Sequence, residues 1–230
     1  MATKKKTAAK SQPESVAKTG WALPPGATVG VAEHGNSAEI VTLAPGGAFL
    51  DRRRVDLTHG LPTHPYHHEG SWAVGRYVDS PWARPTSLAE AVALVARVQE
   101  AAGEGARDCL AALAETVPMP IARIALRVCA PLPATTEERI ADSRAASVAD
   151  SILYREALAT AATARGWAVV WYDRERVFRD AAAGLAGKNV DAHLLAIGKE
   201  IGAPWQARHK LAAAAALAAM SQIAKRPEKA

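Results

Sequence analysis

From residue 28 the chain runs through short apolar stretches broken by turn residues, then changes to long helical periods, and that change predicts the order of its elements. Thr28 to Glu33 reads as a first strand, and His34-Gly35-Asn36-Ser37 supplies a turn into a second strand, Ala38 to Leu43. Ala44-Pro45-Gly46-Gly47 is another turn, and Ala48 to Leu57 follows as a third strand with a charged middle, completing an antiparallel meander. Ser87 then caps a helix whose apolar positions Leu88, Ala91, Leu94, Val95 and Val98 fall at helical spacing. Gly103-Glu104-Gly105 is expected to end it before a second helix through Leu110 and Leu113.

Ile121 to Val128 alternates as a fourth strand, stopped by Pro131 and Pro133. Thr136, with Glu137 and Glu138 in the first turn, starts a helix predicted to run to Arg165, with Gly166 just past its end. Trp167 to Tyr172 is a short apolar fifth strand, suited to a parallel position reached from the fourth by a right-handed crossover. Asp173 caps a helix over 174–186, a short helical segment lies near 192–197, and an alanine-rich helix extends to about residue 223.

Residues 58–86 break this rhythm. They lack periodicity and hold four of the seven histidines, and they far exceed the usual connection of about 4 to 6 residues. Trp72, Tyr77 and Trp82 carry burial energies of roughly 2 to 3 kcal/mol each, so an ordered flap is expected.

Composition adds bounds. At 230 residues the chain suits one domain over 21–223, with solvated tails at 1–20 and 224–230. The formal charge of +5 first suggests nucleic acid, yet the tails carry +4 and +2, which leaves the body at −1. Lys4, Lys5 and Lys6 are therefore candidate phosphate contacts from a tail. The apolar run from Leu211 to Met220 is too short and alanine-rich to span a bilayer, and no apolar stretch follows the basic N-terminus, so no membrane partner and a cytoplasmic location are expected. Cys109 and Cys129 lack metal or disulfide spacing and read as small buried hydrophobes. Arg52-Arg53-Arg54 can offer Arg52 and Arg54 to a phosphate on one strand face. His64-Pro65-Tyr66-His67-His68-Glu69-Gly70 is the densest group of potential ligands, with His67, His68 and Glu69 as candidate metal ligands.

The ending of the first strand, Val31-Ala32-Glu33-His34-Gly35, and the segment from Gly166 to Val177 after an Ala- and Arg-rich helix resemble RuvC-like proteins of the ribonuclease H-like superfamily. In that family the first strand reads roughly apolar-Gly-apolar-Asp-Pro-Gly and the last helix carries an acid in an alanine-rich stretch. The resemblance implies an α/β fold with a five-stranded mixed sheet, the meander followed by α-β-α-β-α-α, and helices on both faces. It also implies an endonuclease using two Mg²⁺ or Mn²⁺ ions about 3.5 to 4 Å apart on oxygen ligands, or a nucleic-acid-binding relative that has lost cleavage, acting on DNA ahead of RNA.

Carried onto this chain, the resemblance makes Glu33, Asp142 and His209 the candidate catalytic and metal-binding residues. Glu33 takes the carboxylate position, Asp142 completes the oxygen shell, and His209 binds the second cation or orients water. The chain departs from the pattern in three places: Glu33 and His34 replace Asp and Pro, the end of strand four has no acid, and residue 212 is Ala where an acid can stand three positions after a His. If the flap folds over the first strand, His68 and Glu69 can meet Glu33 and make up the deficit. Asp142 and Asp150 also suit salt bridges with Arg144 or Arg155. The competing expectation is a non-catalytic interaction subunit, whose alanine-rich helices and aromatic flap join a homo-oligomer or a protein complex.

Overall fold

A computed structural model describes residues 25–221. Lys4, Lys5, Lys6 and both predicted tails lie outside the described residues. Five strands form one mixed sheet: β1 (Ala27–His34), β2 (Ser37–Leu43), β3 (Phe49–Asp56), β4 (Ile121–Arg127) and β5 (Ala168–Tyr172), in the order β3-β2-β1-β4-β5. β1, β2 and β3 are the antiparallel meander, whereas β4 and β5 run parallel to β1. The C-terminal ends of β1, β4 and β5 therefore share one rim. In open α/β sheets such a rim is where ligands bind.

Alternation along β1 splits its side chains between two cores. Val29 and Val31 pack with α2 (Leu88–Thr116) and α4 (Ser143–Ala164), preceded by the short α3 (Thr136–Ala141). Ala32 faces the other way, toward α5 (Val177–Gly184), α6 (Val190–Ile201) and α7 (Ala207–Met220).

Three sequence expectations change here. Gly103 and Gly105 do not end a helix, because α2 runs unbroken through them. A Cβ on Gly105 would lie 2.4 Å from the carbonyl oxygen of Leu57, so this glycine lets the end of the meander press against the helix. The predicted helix from Thr136 to Arg165 is two helices, broken at Asp142, whose extended backbone and side-chain oxygen cap α4 through the Ala145 amide at 2.8 Å. Finally, the alanines of α7 are not an outer surface for an oligomer. Ala212 through Ala219 are buried within the chain, and a Cβ on Gly30 would stand 1.8 Å from the Ala212 carbonyl oxygen.

The connection between β3 and α2 is ordered as expected, but by other groups. It contains a π-helical turn, Pro65–Glu69, leading into α1 (Gly70–Ala73), packed on α2 and α4. Tyr66 is buried, whereas Tyr77 and Trp82 are 55% and 75% exposed and Trp72 is half-buried. The order comes from Tyr66 and the backbone bonds described below.

Candidate site at the C-terminal rim of the sheet

Glu33 lies at the end of β1 on the α4 side, where Arg155 meets it. Both Nε and Nη2 of Arg155 stand 2.6 Å from the Glu33 Oε1, and Nη1 donates to the Val128 carbonyl at 3.2 Å. Both side chains are less than 10% exposed. A buried carboxylate needs a partner, and α4 supplies it from inside the fold. Arg155 thus pairs with Glu33 and not with Asp142 or Asp150.

His209 sits on the opposite side of the sheet, near the start of α7. Its Nδ1 accepts from the Gln206 amide at 3.1 Å, which leaves Nε2 as the donor toward Glu39 Oε2 at 3.1 Å. Its ring stacks on Trp205, centroids 5.8 Å apart. Glu39 is opposite Ala32 in the β1–β2 ladder and shares its face. Asp142 is further still: thirteen residues, about 20 Å of helix, separate it from Arg155 along α4. The three residues expected to form one centre occupy three environments.

The flap's ligand cluster gathers around Asp150. This carboxylate, 2% exposed, accepts from the amides of Tyr66 at 2.9 Å and His67 at 3.1 Å, and His64 Nδ1 stands 3.7 Å from it. Burial pushes its pKa up to about 7. Burial, with neighbouring imidazoles, lowers the pKa of His64 and His67, and burial raises that of Glu69. His67 and His68 stack loosely on each other. The flap therefore docks on Asp150 of α4 and not on Glu33.

Arg52 reaches the carbonyls of Gly202 and Pro204, tying β3 to the α6–α7 turn. Arg54 is mostly exposed, 4.0 Å from Glu39, and Arg53 grips Asp51 through two hydrogen bonds. Cys129 is exposed at the rim and Cys109 is half-buried, its thiol pushed up to about 11 by burial.

The rim itself carries a cleft of about 260 Å³ between the end of β1 and the start of α7, the place expected for a cation. Arg127 from the end of β4, Arg174 just after β5 and Arg208 in the first turn of α7 line it, together with Glu33, His34 and Tyr172. Among the described residues these three arginines make no ion pair or side-chain hydrogen bond. The Tyr172 hydroxyl is occupied by the Val31 carbonyl at 2.8 Å. Arg127 and Arg174 also border a second hollow of about 420 Å³, lined by Ser147 and Ser151 of α4 and by Asp173 and Glu175.

This donor set does not suit a divalent cation. The only carboxylate lining the cleft is committed to a guanidinium, three further guanidinium groups surround the space, and no group of three potential ligands able to hold a metal occurs among the described residues. Sequence reading gave Arg155 the wrong partner and missed Arg127, Arg174, Arg208 and Glu39. Arg127 and Arg174 had a signal, since each stands at the C-terminal end of a legible parallel strand.

No protein-family model matches the chain, and no curated protein is significantly similar to it. Solved structures do match: Thermus thermophilus RuvC in complex with a Holliday junction substrate, at 14% identity and a TM-score of 0.45, covering 84% of this chain and 90% of that one. A second Thermus thermophilus RuvC structure matches at 14% identity and a TM-score of 0.42, covering 84% and 92%. The fold is α/β, a mixed five-stranded sheet with helices on both faces, consistent with the ribonuclease H-like arrangement expected from the sequence. Among the described residues no helix is long and apolar enough to cross a membrane.

Proposed function

We propose that this chain is a ribonuclease H-like domain that binds nucleic acid along the C-terminal rim of its sheet and does not cleave it with metal ions. One observation carries the reading: the acid at the end of β1 is closed into a buried pair with Arg155, while three arginines without ion-pair partners among the described residues line the adjoining cleft. A metal-dependent nuclease concentrates negative charge at this place to hold its cations. Here the charge is reversed, which suits phosphate directly. DNA duplexes and branched junctions are the first substrates to test, ahead of RNA.

The experiment incubates the protein with duplex, branched and hybrid substrates in Mg²⁺ or Mn²⁺ and measures both retention and cutting, beside Glu33→Gln. The expected outcome is salt-sensitive binding, unchanged by chelation, with no cutting by either protein. Metal-dependent cutting lost in Glu33→Gln would reverse the second half of the proposal. Absence of binding, with a stable assembly by light scattering, would favour an interaction subunit instead.

A further inference from the structure

We propose that the cleft between β1 and α7 seats a single phosphate group directly on Arg127, Arg174 and Arg208, with no cation between protein and ligand. The inference rests on the nucleic-acid reading and names the contact that would produce it.

The three guanidinium groups come from three elements, the end of β4, the segment after β5 and the first turn of α7, so only the tertiary fold brings them to one cleft. Each planar fork offers donors in the geometry of phosphate oxygens. Unpaired positive charges around a concave space repel a divalent cation and attract an anion, since the cleft walls focus the field. Glu33 does not cancel this charge, because Arg155 already faces it from inside.

Size limits the occupant. At about 260 Å³ the cleft is smaller than the roughly 300 to 1,000 Å³ of pockets that enclose whole small ligands. It suits a phosphate with part of its sugar, and the neighbouring hollow beyond Arg127 and Arg174 leaves room for the strand to continue past Ser147 and Ser151.

The test uses the full chain, with chelator present, and measures duplex affinity across a series of salt concentrations for wild type, Arg127→Gln, Arg174→Gln, Arg208→Gln, their pairs, and Arg144→Gln as an exposed arginine outside the cleft. Thermal unfolding of each variant checks that it folds, and Arg208→Gln, at an exposed position, stands alone if the others do not. Each single cleft variant should weaken binding about tenfold or more. Because the three share one phosphate and the remaining arginines still hold it, the slope of log affinity against log salt should fall by no more than about 0.9, the value for one phosphate neutralised, in singles and pairs alike, and Arg144→Gln should change nothing. A fall of about 1.8 in the pairs, the value for two phosphates, overturns the single seat. Duplex binding that is intact in all cleft variants overturns the seat while leaving the nucleic-acid reading standing.

If wild type binds none of the duplex, branched and hybrid substrates, that reading fails, and the seat is then judged by titrating inorganic phosphate against the arginine side-chain NMR signals. Saturable shifts confined to Arg127, Arg174 and Arg208 support it, with free phosphate as the source. Their absence, or tighter binding of polyglutamate than of phosphate, overturns it.

Discussion

The two faces of the sheet are assembled by opposite means. Against α2 and α4, large side chains such as Tyr66, Leu110, Ile140 and Tyr154 fill the space, and two buried carboxylates are each given partners. Against α7 the filling is almost all alanine, and close backbone approach replaces side-chain volume. The first face holds charge beneath its helices because long side chains deliver donors there. The second holds it only at the two ends of α7, where His209 meets Glu39 and Arg123 reaches the Ala219 carbonyl, and the stretch between reaches close packing because nothing protrudes.

Gly30 offers the hardest way to break this contrast. Gly30→Leu should prevent folding or destabilise by more than about 4 kcal/mol in urea unfolding, since its Cβ would overlap the Ala212 carbonyl of α7. A mild effect would mean that α7 can move away, and the two faces would then differ less than their packing suggests.

Arg155→Ala tests the other face. It leaves Glu33 buried without its guanidinium, and the expected loss is about 3 to 5 kcal/mol. The double variant Arg155→Met with Glu33→Leu should recover most of that loss, because it removes both charges together. Equal destabilisation by single and double variants would show that Arg155 acts through packing and its bond to Val128 instead.

Asp150 supplies a pH dependence. Its folded pKa is raised by burial from the ordinary value of about 3.9 to about 7. Between about pH 4 and 7 the unfolded chain has released this proton while the folded chain keeps it, so the group's contribution to stability falls as pH rises through that window and is level above it. His64, His67 and Glu69 face the same region and have shifted pKa values too, so the measurement is a difference: urea midpoints of wild type minus Asp150→Asn, from pH 4 to 8. A difference that stays flat would remove the buried acid as the cause. The variant should also loosen the flap, seen as faster hydrogen exchange at the Tyr66 and His67 amides.

The smallest effect belongs to His209. His209→Ala removes the donor to Glu39 and the partner of Trp205, with an expected cost of about 1 to 2 kcal/mol by thermal unfolding. Activity or binding that changed while stability did not would give His209 a role beyond structure.

Strands, their succession along the chain and most helix starts are legible in the amino-acid pattern, because alternation and capping are local: Thr28 to Glu33 reads as buried extended chain from its own residues, and Ser87 with Glu90 closes the capping box at the start of α2. Helix interruptions are not. Gly105 reads as a terminator until Leu57, distant in sequence, is found against it, and the break at Asp142 carries only a weak capping signal. The candidate site is legible in position but not in charge. That Glu33 stands at the rim follows from its place at a strand end, whereas the group facing it comes from residue 155, and the arginines of the cleft come from residues 127, 174 and 208.

By itself, then, the chain's pattern determined which segments extend, which coil, and that a carboxylate would reach the edge of the sheet, since these depend on neighbours within a few residues. Only the tertiary structure decided what that carboxylate meets. Side chains from α4, β4, α7 and the segment after β5 converge there through packing of elements far apart in sequence, and electrostatics acts across space without regard to chain order.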